Sequence, residues 1–250
     1  MEIALGLSVQ DLLWSALVVL VASFIRGYSG FGFSAVLMAG LALRLPAAEI
    51  VPLSIALEVI ASTLQARGIY THINWRPLVV LLLAGIIGTP VGVYLLGALP
   101  DEPMRIAVQI FILITSVFLV FTKERSFRRS LILYALVGLV AGVINGATAL
   151  SGLVLALFFT FTGEKAAVMR ATMIAYFFVT DLWTGGLLYA SGHFDIQTVT
   201  RIMAAIPLLG FGVWIGSNRF TSANPKSFRI YVLWLLLALS SIGLIGVIFG

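Results

Sequence analysis

The feature that most constrains this chain is that its second half repeats its first. Phe24–Gly30 (FIRGYSG) matches Val143–Ala149 (VINGATA) at an offset of 119 residues. In both halves a short apolar segment, a loop and a longer apolar segment follow, and His72 then matches His193 at an offset of 121. An apolar chain built from two such units, each interrupted by small residues at the same place, is typical of secondary transporters.

The composition predicts a protein that lies almost entirely in a membrane. Hydrophobic residues make up 61% of the 250 residues and charged residues only 10%, whereas a soluble domain carries about 25% charged residues. Most of the basic residues fall in short loops, where they set orientation in a membrane, so the positive net charge does not indicate nucleic-acid binding. The chain has no cysteine, which excludes thiolate catalysis and cysteine-ligated metals.

The apolar runs number ten, five in each repeat. They fall at about 12–25, 30–43, 50–66, 78–98, 104–122, 130–144, 148–162, 167–190, 196–217 and 228–249. A membrane-spanning helix needs about 20 residues, and the first two runs of each repeat are shorter. We therefore expect an all-α polytopic membrane protein in which residues 1–129 and 130–250 form two repeats of a single membrane domain.

The short runs leave three arrangements open. Each run crosses the bilayer, each pair forms a re-entrant hairpin, or each pair forms one broken helix that crosses once. Because Lys and Arg are retained on the cytoplasmic side, their distribution between the two sides of the membrane distinguishes the three arrangements. Ten crossings place twelve of them on one side and three on the other, hairpins give eleven against three, and broken helices give seven against seven. The minority in the first two arrangements is Arg44, Arg105 and Arg201.

The charge bias argues against broken helices. Both remaining arrangements cross the bilayer an odd number of times per repeat, so the two halves are expected to be inverted relative to each other. Both termini are then expected outside the cytoplasm. The shortness of the runs favours re-entrant hairpins over full crossings.

Several motifs together resemble a known family. A Gly/Ser-rich break, Gly27–Gly32 or Asn145–Gly152, interrupts each repeat; Val51-Pro-Leu lies in the third run, and Gly88-x-x-x-Gly92 follows. This pattern, over essentially the whole chain, resembles the TauE/SafE family of sulfite and organosulfur-anion transporters. The resemblance implies a carrier in the cytoplasmic membrane for a small anion such as sulfite, thiosulfate, sulfoacetate or another sulfonate, with no cofactor.

The two breaks are the predicted substrate site. Glycine lets backbone approach a ligand closely, and broken backbone at membrane depth is tolerated where it is buried or lines a wet cavity. The helix after each break presents free N–H groups, which favour anions. Tight helix packing is the alternative role for these glycines. The candidate residues are Arg26, Gly27, Ser29, Gly30, Phe31 and Gly32 in the first repeat and Asn145, Gly146, Thr148, Ser151 and Gly152 in the second.

Arg26 directly precedes the first break, and Asn145 has the equivalent place in the second repeat. A guanidinium forms two hydrogen bonds with a sulfonate or carboxylate. The alternative is that Arg26 extends to the cytoplasmic interface as a topology charge. Glu58 and Asp181 lie within two long apolar runs, where burial favours the neutral carboxyl and would suit proton coupling. A fixed pair of Glu58 with Arg26 is the competing interpretation.

Other charged and small residues receive less specific predictions. Arg170 lies one turn into its apolar run and is expected to extend to the membrane interface, with contact to the site as the alternative. Two glycine pairs with small-xxx-small spacing are expected to pack helices closely: Gly88 with Gly92, and Gly212 with Gly216. His72 and His193 are expected to be interfacial residues rather than a metal site.

The sequence leaves two functions in contention. One is a secondary transporter that couples the anion to a proton or cation; the other is a passive channel or uniporter for small anions or carboxylates, which would not need buried carboxylates. HExxH, GxSxG and P-loop motifs are missing from the sequence, so we expect neither an enzyme nor an ATPase. The expected partners are the anion, a coupling ion and membrane lipid, with the chain as a monomer or homodimer.

Overall fold

The computed structural model describes residues 5–67, 69–121, 130–220 and 225–249, and in the last helix it describes side chains only at 232–246. Over these residues the chain is helical and contains no strand. The helices are α1 (Val9–Ser29), α2 (Phe33–Leu41), α3 (Ala47–Gln65), α4 (Trp75–Ala98), α5 (Asp101–Phe121), α6 (Leu131–Thr148), α7 (Ser151–Thr162), α8 (Ala166–Ala190), α9 (Ile196–Phe220) and α10 (Pro225–Phe249), with a 3-10 turn at Tyr70–His72. The predicted all-α fold with ten segments is confirmed.

Within the described residues, seven helices are long and apolar enough to cross a membrane: α1, α3, α4, α5, α6, α8 and α9. Their outward faces carry large apolar side chains, with Leu83 60% exposed and Ile87 69% exposed. A continuous apolar exterior of this kind requires lipid around it. The chain is therefore a multi-pass membrane protein.

The first helix of each pair that was predicted to be short is in fact long. Helix α1 has 21 residues and α6 has 18, whereas α2 has 9 and α7 has 12. The prediction is therefore correct for α2 and α7 and wrong for α1 and α6. Small residues do not end a helix by themselves, so each helix continues until a residue with left-handed backbone conformation ends it. These residues are Gly30 (φ 79°) and Ala149 (φ 58°).

Each short helix folds back along its long partner. At the end of α2, the Gly40 carbonyl accepts a hydrogen bond from Trp14 Nε1 at 2.9 Å, and Trp14 lies near the start of α1. In the second pair, the Tyr134 and Phe158 ring centroids lie 4.8 Å apart, which places the end of α7 beside the start of α6. Both pairs are thus hairpins rather than single broken helices.

Helices α4 and α6 pack backbone to backbone through glycine. A Cβ placed on Gly88 would lie 3.0 Å from Val143 N, and one placed on Gly92 would lie 2.8 Å from Ala147 N. Real side chains do not fit at such distances, so only glycine permits this contact. Because the contacting residue numbers rise together, the two helices run parallel.

Helices α1 and α9 form a second seam of the same kind. A Cβ on Gly212 would lie 3.0 Å from Phe24 N, and one on Gly216 would lie 2.8 Å from Tyr28 N. These helices also run parallel. The prediction that both glycine pairs serve close helix packing is confirmed.

One end of the bundle, which we term the Arg201 end, collects the N-termini of α1, α3 and α9. There Arg201 Nη1 donates to Glu49 Oε2, and Arg201 Nε donates to the Leu5 carbonyl at 3.2 Å. The first N–H of α3, that of Ala47, donates to Asp101 Oδ1 at 2.8 Å. Ionic and polar contacts therefore tie several helices together at this end.

The opposite end, which we term the Gln65 end, collects the C-termini of the same three helices and the N-terminal part of α8. Gln65 Nε2 donates to the Gly27 carbonyl at 3.2 Å, and Arg170 Nη2 donates to the same oxygen at 2.9 Å. Helix α8 therefore runs opposite to α1, α3 and α9. The site lies between these two ends.

Candidate functional site

Arg26 lies in the last turn of α1 with no exposed surface (0%). Its Nε donates to Glu58 Oε2 at 2.7 Å, its Nη2 donates to Ser62 Oγ at 2.8 Å, and its Nη1 donates to the Gly30 carbonyl. The guanidinium also lies 5.0 Å from the centroid of the Phe177 ring, within cation–π range. Arg26 therefore does not extend to the membrane interface, and its ion pair with Glu58 is present.

The helical backbone explains how this pair forms. Side chains on a helix point towards its N-terminus, so Arg26 reaches back from the end of α1 towards the middle of α3. Glu58 is 3% exposed and its second oxygen, Oε1, accepts from Ser34 Oγ at 2.9 Å. A buried ion pair persists only when its remaining hydrogen-bonding groups are satisfied, and here both carboxylate oxygens have a donor.

The second repeat forms a counterpart of this pair in which an amide replaces the guanidinium. Asn145, in the last turn of α6, donates from Nδ2 to Asp181 Oδ1 at 2.8 Å and to Thr184 Oγ1 at 3.0 Å. Its Oδ1 accepts from Ser151 Oγ at 2.7 Å. Asp181 is 1% exposed, so a second carboxyl group is buried here beside an amide instead of a guanidinium.

A small cavity lies between the two half-sites. Its volume is about 10 Å³, room for about one water molecule. Residues from both breaks and both buried carboxyl groups surround it. The lining comprises Gly32, Ser34, Ala35, Glu58, Asn145, Ala149, Leu150, Ser151, Gly152, Leu153, Phe177 and Asp181.

Two helices begin at this cavity. The residues that precede α2 and α7 are Gly32 and Leu150, and neither forms a side-chain hydrogen bond that would cap the helix. The two breaks also lie against each other, because a Cβ on Gly152 would lie 4.0 Å from Gly32 N. Two helix N-termini that lack a side-chain cap, with their positive dipole ends, therefore border the same cavity.

The structure brings only part of the predicted substrate set to the cavity. Four predicted substrate residues line it, together with both predicted coupling carboxylates; the four are Gly32, Asn145, Ser151 and Gly152. Arg26 binds Glu58, which lines the cavity, and is therefore connected to the cavity through that carboxylate. The structure also places Ser34, which supplies a hydroxyl, in the lining.

The hydroxyl groups of Ser29 and Thr148 are directed elsewhere. Ser29 Oγ donates to the Ile25 carbonyl at 2.7 Å and to the Phe31 carbonyl at 2.6 Å. Thr148 Oγ1 donates to the Ile144 carbonyl at 2.8 Å. Serine and threonine near a helix end often bond to the preceding turn in this way. In the structure these two hydroxyls therefore bind backbone carbonyls and do not line the cavity.

Three of the predicted glycines shape the backbone instead of lining the cavity. A Cβ on Gly27 would lie 2.9 Å from Val213 Cα in α9, and one on Gly146 would lie 2.7 Å from Val93 N in α4. These two glycines belong to the helix seams, as the alternative interpretation held. Gly30 ends α1 in the left-handed region and accepts the Arg26 hydrogen bond through its carbonyl. Phe31, 8% exposed, packs in the apolar core.

Sequence reasoning missed three residues of the site. Phe177 lines the cavity beneath the guanidinium, Thr184 binds the Asn145 amide, and Gln65 binds the end of α1. The internal repeat contained the signal for all three. At the offset of 119, Phe177 is the counterpart of Glu58 and Thr184 is the counterpart of Gln65.

Arg170 also differs from expectation. Rather than extending to the membrane interface, its side chain turns inward and donates to the Gly27 carbonyl at 2.9 Å. A Cβ on Gly30 would lie 2.5 Å from Arg170 Cγ. The first break is therefore contacted by a guanidinium on each of its two sides.

The structure is a lipid-facing helical bundle that surrounds a buried ion pair, a second buried carboxyl group and a polar cavity. These features define the class of multi-pass membrane proteins with an ionisable site at membrane depth. The family model described as "Sulfite exporter TauE/SafE" matches residues 15–242, and the chain belongs to this family. The family consists of transporters rather than enzymes, so the resemblance read from the sequence is confirmed. Searches of curated proteins and of solved structures found no match.

Proposed function

We propose that this chain is a secondary transporter that carries a small sulfur-containing anion, of the sulfite, thiosulfate or sulfonate class, across the cytoplasmic membrane. The observation that carries the proposal is the convergence of two uncapped helix N-termini and the Arg26–Glu58 pair on one enclosed cavity. Helix N-termini and guanidinium groups are the protein groups best suited to a desolvated oxyanion. Membership of a sulfite-exporter family supports the same substrate class.

Arg26 and its ion pair provide a means of coupling. In the structure Glu58 occupies Arg26 Nε, so an incoming anion and Glu58 are alternative partners for one guanidinium. A proton on Glu58 removes its charge and weakens its hold on Arg26. The anion therefore binds when Glu58 is protonated, and the two are carried together.

Asp181 strengthens this coupling. Its carboxyl group lines the same cavity and receives a hydrogen bond from an uncharged amide. An ionised Asp181 would repel an anion in the cavity, whereas a protonated Asp181 would be neutral and could donate a hydrogen bond to it. Protonation of both carboxyl groups thus favours the loaded state.

The cavity must enlarge to hold the substrate. A volume of about 10 Å³ accommodates about one water molecule and not an anion with a sulfur and three oxygens. The long helices α1 and α6 are held in glycine seams, while α2 and α7 are short and begin at the cavity. We therefore assign the opening movement to α2 and α7, the short helices of the two hairpins, which alternately expose the cavity to each side.

The packing supports an inverted repeat with units 1–129 and 130–250. The two glycine seams, α1 with α9 and α6 with α4, are equivalent under exchange of the two units. Two of the minority basic residues contact acidic partners at the Arg201 end, in the pairs Arg44–Asp11 and Arg201–Glu49. We place the Arg201 end and both termini outside the cytoplasm. The basic segment Lys123–Arg129, which belongs to the majority side of the charge count and is expected in the cytoplasm, lies outside the described residues.

Reconstitution into liposomes tests the function and its coupling. Uptake of labelled sulfite and thiosulfate is measured with and without an imposed pH gradient for wild type, Glu58→Gln and Asp181→Asn. Glu102→Gln, an exposed carboxylate on α5, is the matched control. We expect acid on the side of the anion to drive accumulation in wild type and in the control, and both site variants to lose accumulation.

Three outcomes are distinguished. Wild-type liposomes that transport no sulfur-containing anion contradict the proposed function. Accumulation that is unchanged in both site variants contradicts proton coupling through these carboxyl groups. Downhill flux that ignores the pH gradient even in wild type would favour the passive channel or uniporter.

A further inference from the structure

The carbonyl oxygen of Gly27 receives three side-chain hydrogen bonds from three different helices. Arg170 Nη2 on α8 lies 2.9 Å away, Gln65 Nε2 on α3 lies 3.2 Å away and Ser217 Oγ on α9 lies 3.2 Å away. A carbonyl oxygen has two lone pairs. The donors gathered at this point therefore exceed what their acceptor can accommodate.

The hydrogen bonding of Gln65 is also incompletely matched. Gln65 is 7% exposed, and its amide also donates to the Arg26 carbonyl and to Ser217 Oγ, each at 3.4 Å. Its own carbonyl oxygen, Oε1, is buried without a hydrogen-bond partner. Capping a helix end needs about one donor per free carbonyl, so capping alone does not explain this cluster.

The cluster lies next to the proposed substrate site. Gly30 contacts both arginines, because its carbonyl accepts from Arg26 while its α-carbon abuts the aliphatic part of the Arg170 side chain. The cluster is on the side of Gly30 that faces the Gln65 end. An anion that travels between this end and the cavity would pass from one guanidinium to the other.

We propose that Arg170, Gln65 and Ser217 form a second oxyanion-binding station, in which the Gly27 carbonyl occupies the position of an anion oxygen. The inference deepens the proposed function and rests on it for the identity of the anion. A planar guanidinium, an amide and a hydroxyl present several donors in different directions, which suits an anion with several oxygens better than a halide. The station thereby adds selectivity for sulfur oxyanions.

The station makes the two ends of the pathway unequal. The counterparts of its residues in the other repeat are Val51 for Arg170 and Val93 for Ser217, with Thr184 for Gln65. The Arg201 end thus has no equivalent guanidinium at these positions. The transporter should accordingly bind its anion more tightly when the anion arrives from the Gln65 end.

Binding is tested by cysteine protection, which does not depend on transport. The chain has no cysteine, so Ser217→Cys provides a single thiol within the station and Asn218→Cys provides one next to it. Sulfite is unsuitable for a thiol assay because it reacts with disulfides, so the probe is methanesulfonate, with chloride at equal ionic strength for comparison. We expect methanesulfonate to slow alkylation of the Ser217→Cys variant and not of the Asn218→Cys variant, and Arg170→Gln to abolish the protection.

Transport from each side gives the second readout. Arg170→Gln should raise the half-saturating concentration of sulfite by about tenfold, as the loss of a hydrogen bond to a charged group predicts, when sulfite is supplied at the Gln65 end. It should leave the value at the Arg201 end unchanged. Arg219→Gln removes an exposed charge at the same end and is the control for general attraction of anions.

The outcomes separate the station from the transporter. Equal protection of the two thiol variants, or equal effects of Arg170→Gln and Arg219→Gln on half-saturation, would overturn the station while leaving the transport function intact. Selective protection of the Ser217→Cys thiol in a protein that transports no sulfur anion would support the station and contradict the proposed function. The melting temperature of each variant shows whether it is folded.

Discussion

Glu58 and Asp181 line one cavity from two different helices but differ in the group that binds them. Arg26 Nε lies 2.7 Å from Glu58 Oε2, whereas the neutral Asn145 Nδ2 lies 2.8 Å from Asp181 Oδ1. The offset of 119 residues relates Arg26 to Asn145, so the two repeats place one charged and one uncharged donor at equivalent positions. Under the proposed mechanism, this difference would make Glu58 a competitor of the substrate and Asp181 a source of repulsion that a proton removes.

The first prediction concerns the uncharged donor. Asn145→Asp replaces an amide donor with a second carboxyl group beside Asp181, and we expect it to destabilise the protein by about 3 kcal/mol at neutral pH, as for a disrupted buried polar pair. A proton shared by the two carboxyl groups would restore a hydrogen bond, so stability should recover as the pH falls. Melting temperatures measured from neutral to acidic pH test this, because two neighbouring carboxylates repel each other when both are ionised; a pH profile parallel to that of wild type would refute it.

The second prediction concerns the glycine seams. In Gly142→Ala the new Cβ would lie 2.8 Å from Gly85 Cα across the α4–α6 seam, whereas a Cβ on Gly210 has nothing within 4 Å. Gly142→Ala should therefore lower the melting temperature strongly by separating the helices. Gly210→Ala, which only replaces a helical glycine, should be neutral or stabilising by up to about 1 kcal/mol. Similar melting temperatures for the two variants would contradict the packing described here.

The third prediction compares two ion pairs at the Arg201 end. The Arg201 side chain is 9% exposed, and Glu49→Gln should cost about 1–2 kcal/mol of stability because it leaves that charge without its carboxylate. Asp11→Asn removes the partner of Arg44, which is 42% exposed, and should barely change the melting temperature. Thermal unfolding at low and high salt checks both predictions. A larger effect for Asp11→Asn would contradict the expectation that the Arg201–Glu49 pair contributes more to stability than the Arg44–Asp11 pair.

The fourth prediction tests the inverted repeat. Thr71 and Ser191 are exposed residues that lie in corresponding connections of the two halves. As single cysteines they should be modified from opposite sides of the membrane by an impermeant thiol reagent, Ser191→Cys from outside and Thr71→Cys only after permeabilisation. Labelling of both from one side would be incompatible with inversion.

Much of the helical fold could be predicted because apolar runs in a membrane have few alternatives to helices. The ends of α1 and α6 could not, since Gly27, Ser29 and Gly146 are tolerated within a helix and the stop depends on which later residue turns left-handed. That choice falls on Gly30 in one half and on Ala149, a residue with no special preference for it, in the other.

The site was predictable in outline and not in its connections. Two breaks and two intramembrane carboxyl groups could be identified by position. For Arg26, however, the sequence allowed either extension to the membrane interface or burial within the site. Tertiary packing decides between them, because the turn of α1 that carries Arg26 faces the middle of α3. Arg170 shows the same limit, since its inward turn depends on the gap that Gly30 leaves beside it.

The two glycine seams have a consequence for how the chain is made. Each joins a helix of the first half to a helix of the second, α1 to α9 and α4 to α6. When α1 enters the membrane, the surface of α9 that packs against its backbone has not yet been synthesised. The α1–α9 contact can therefore form only after the last quarter of the chain has been synthesised. A product truncated before α9 would leave α1 without its packing partner and recognisable to cellular quality control as incomplete.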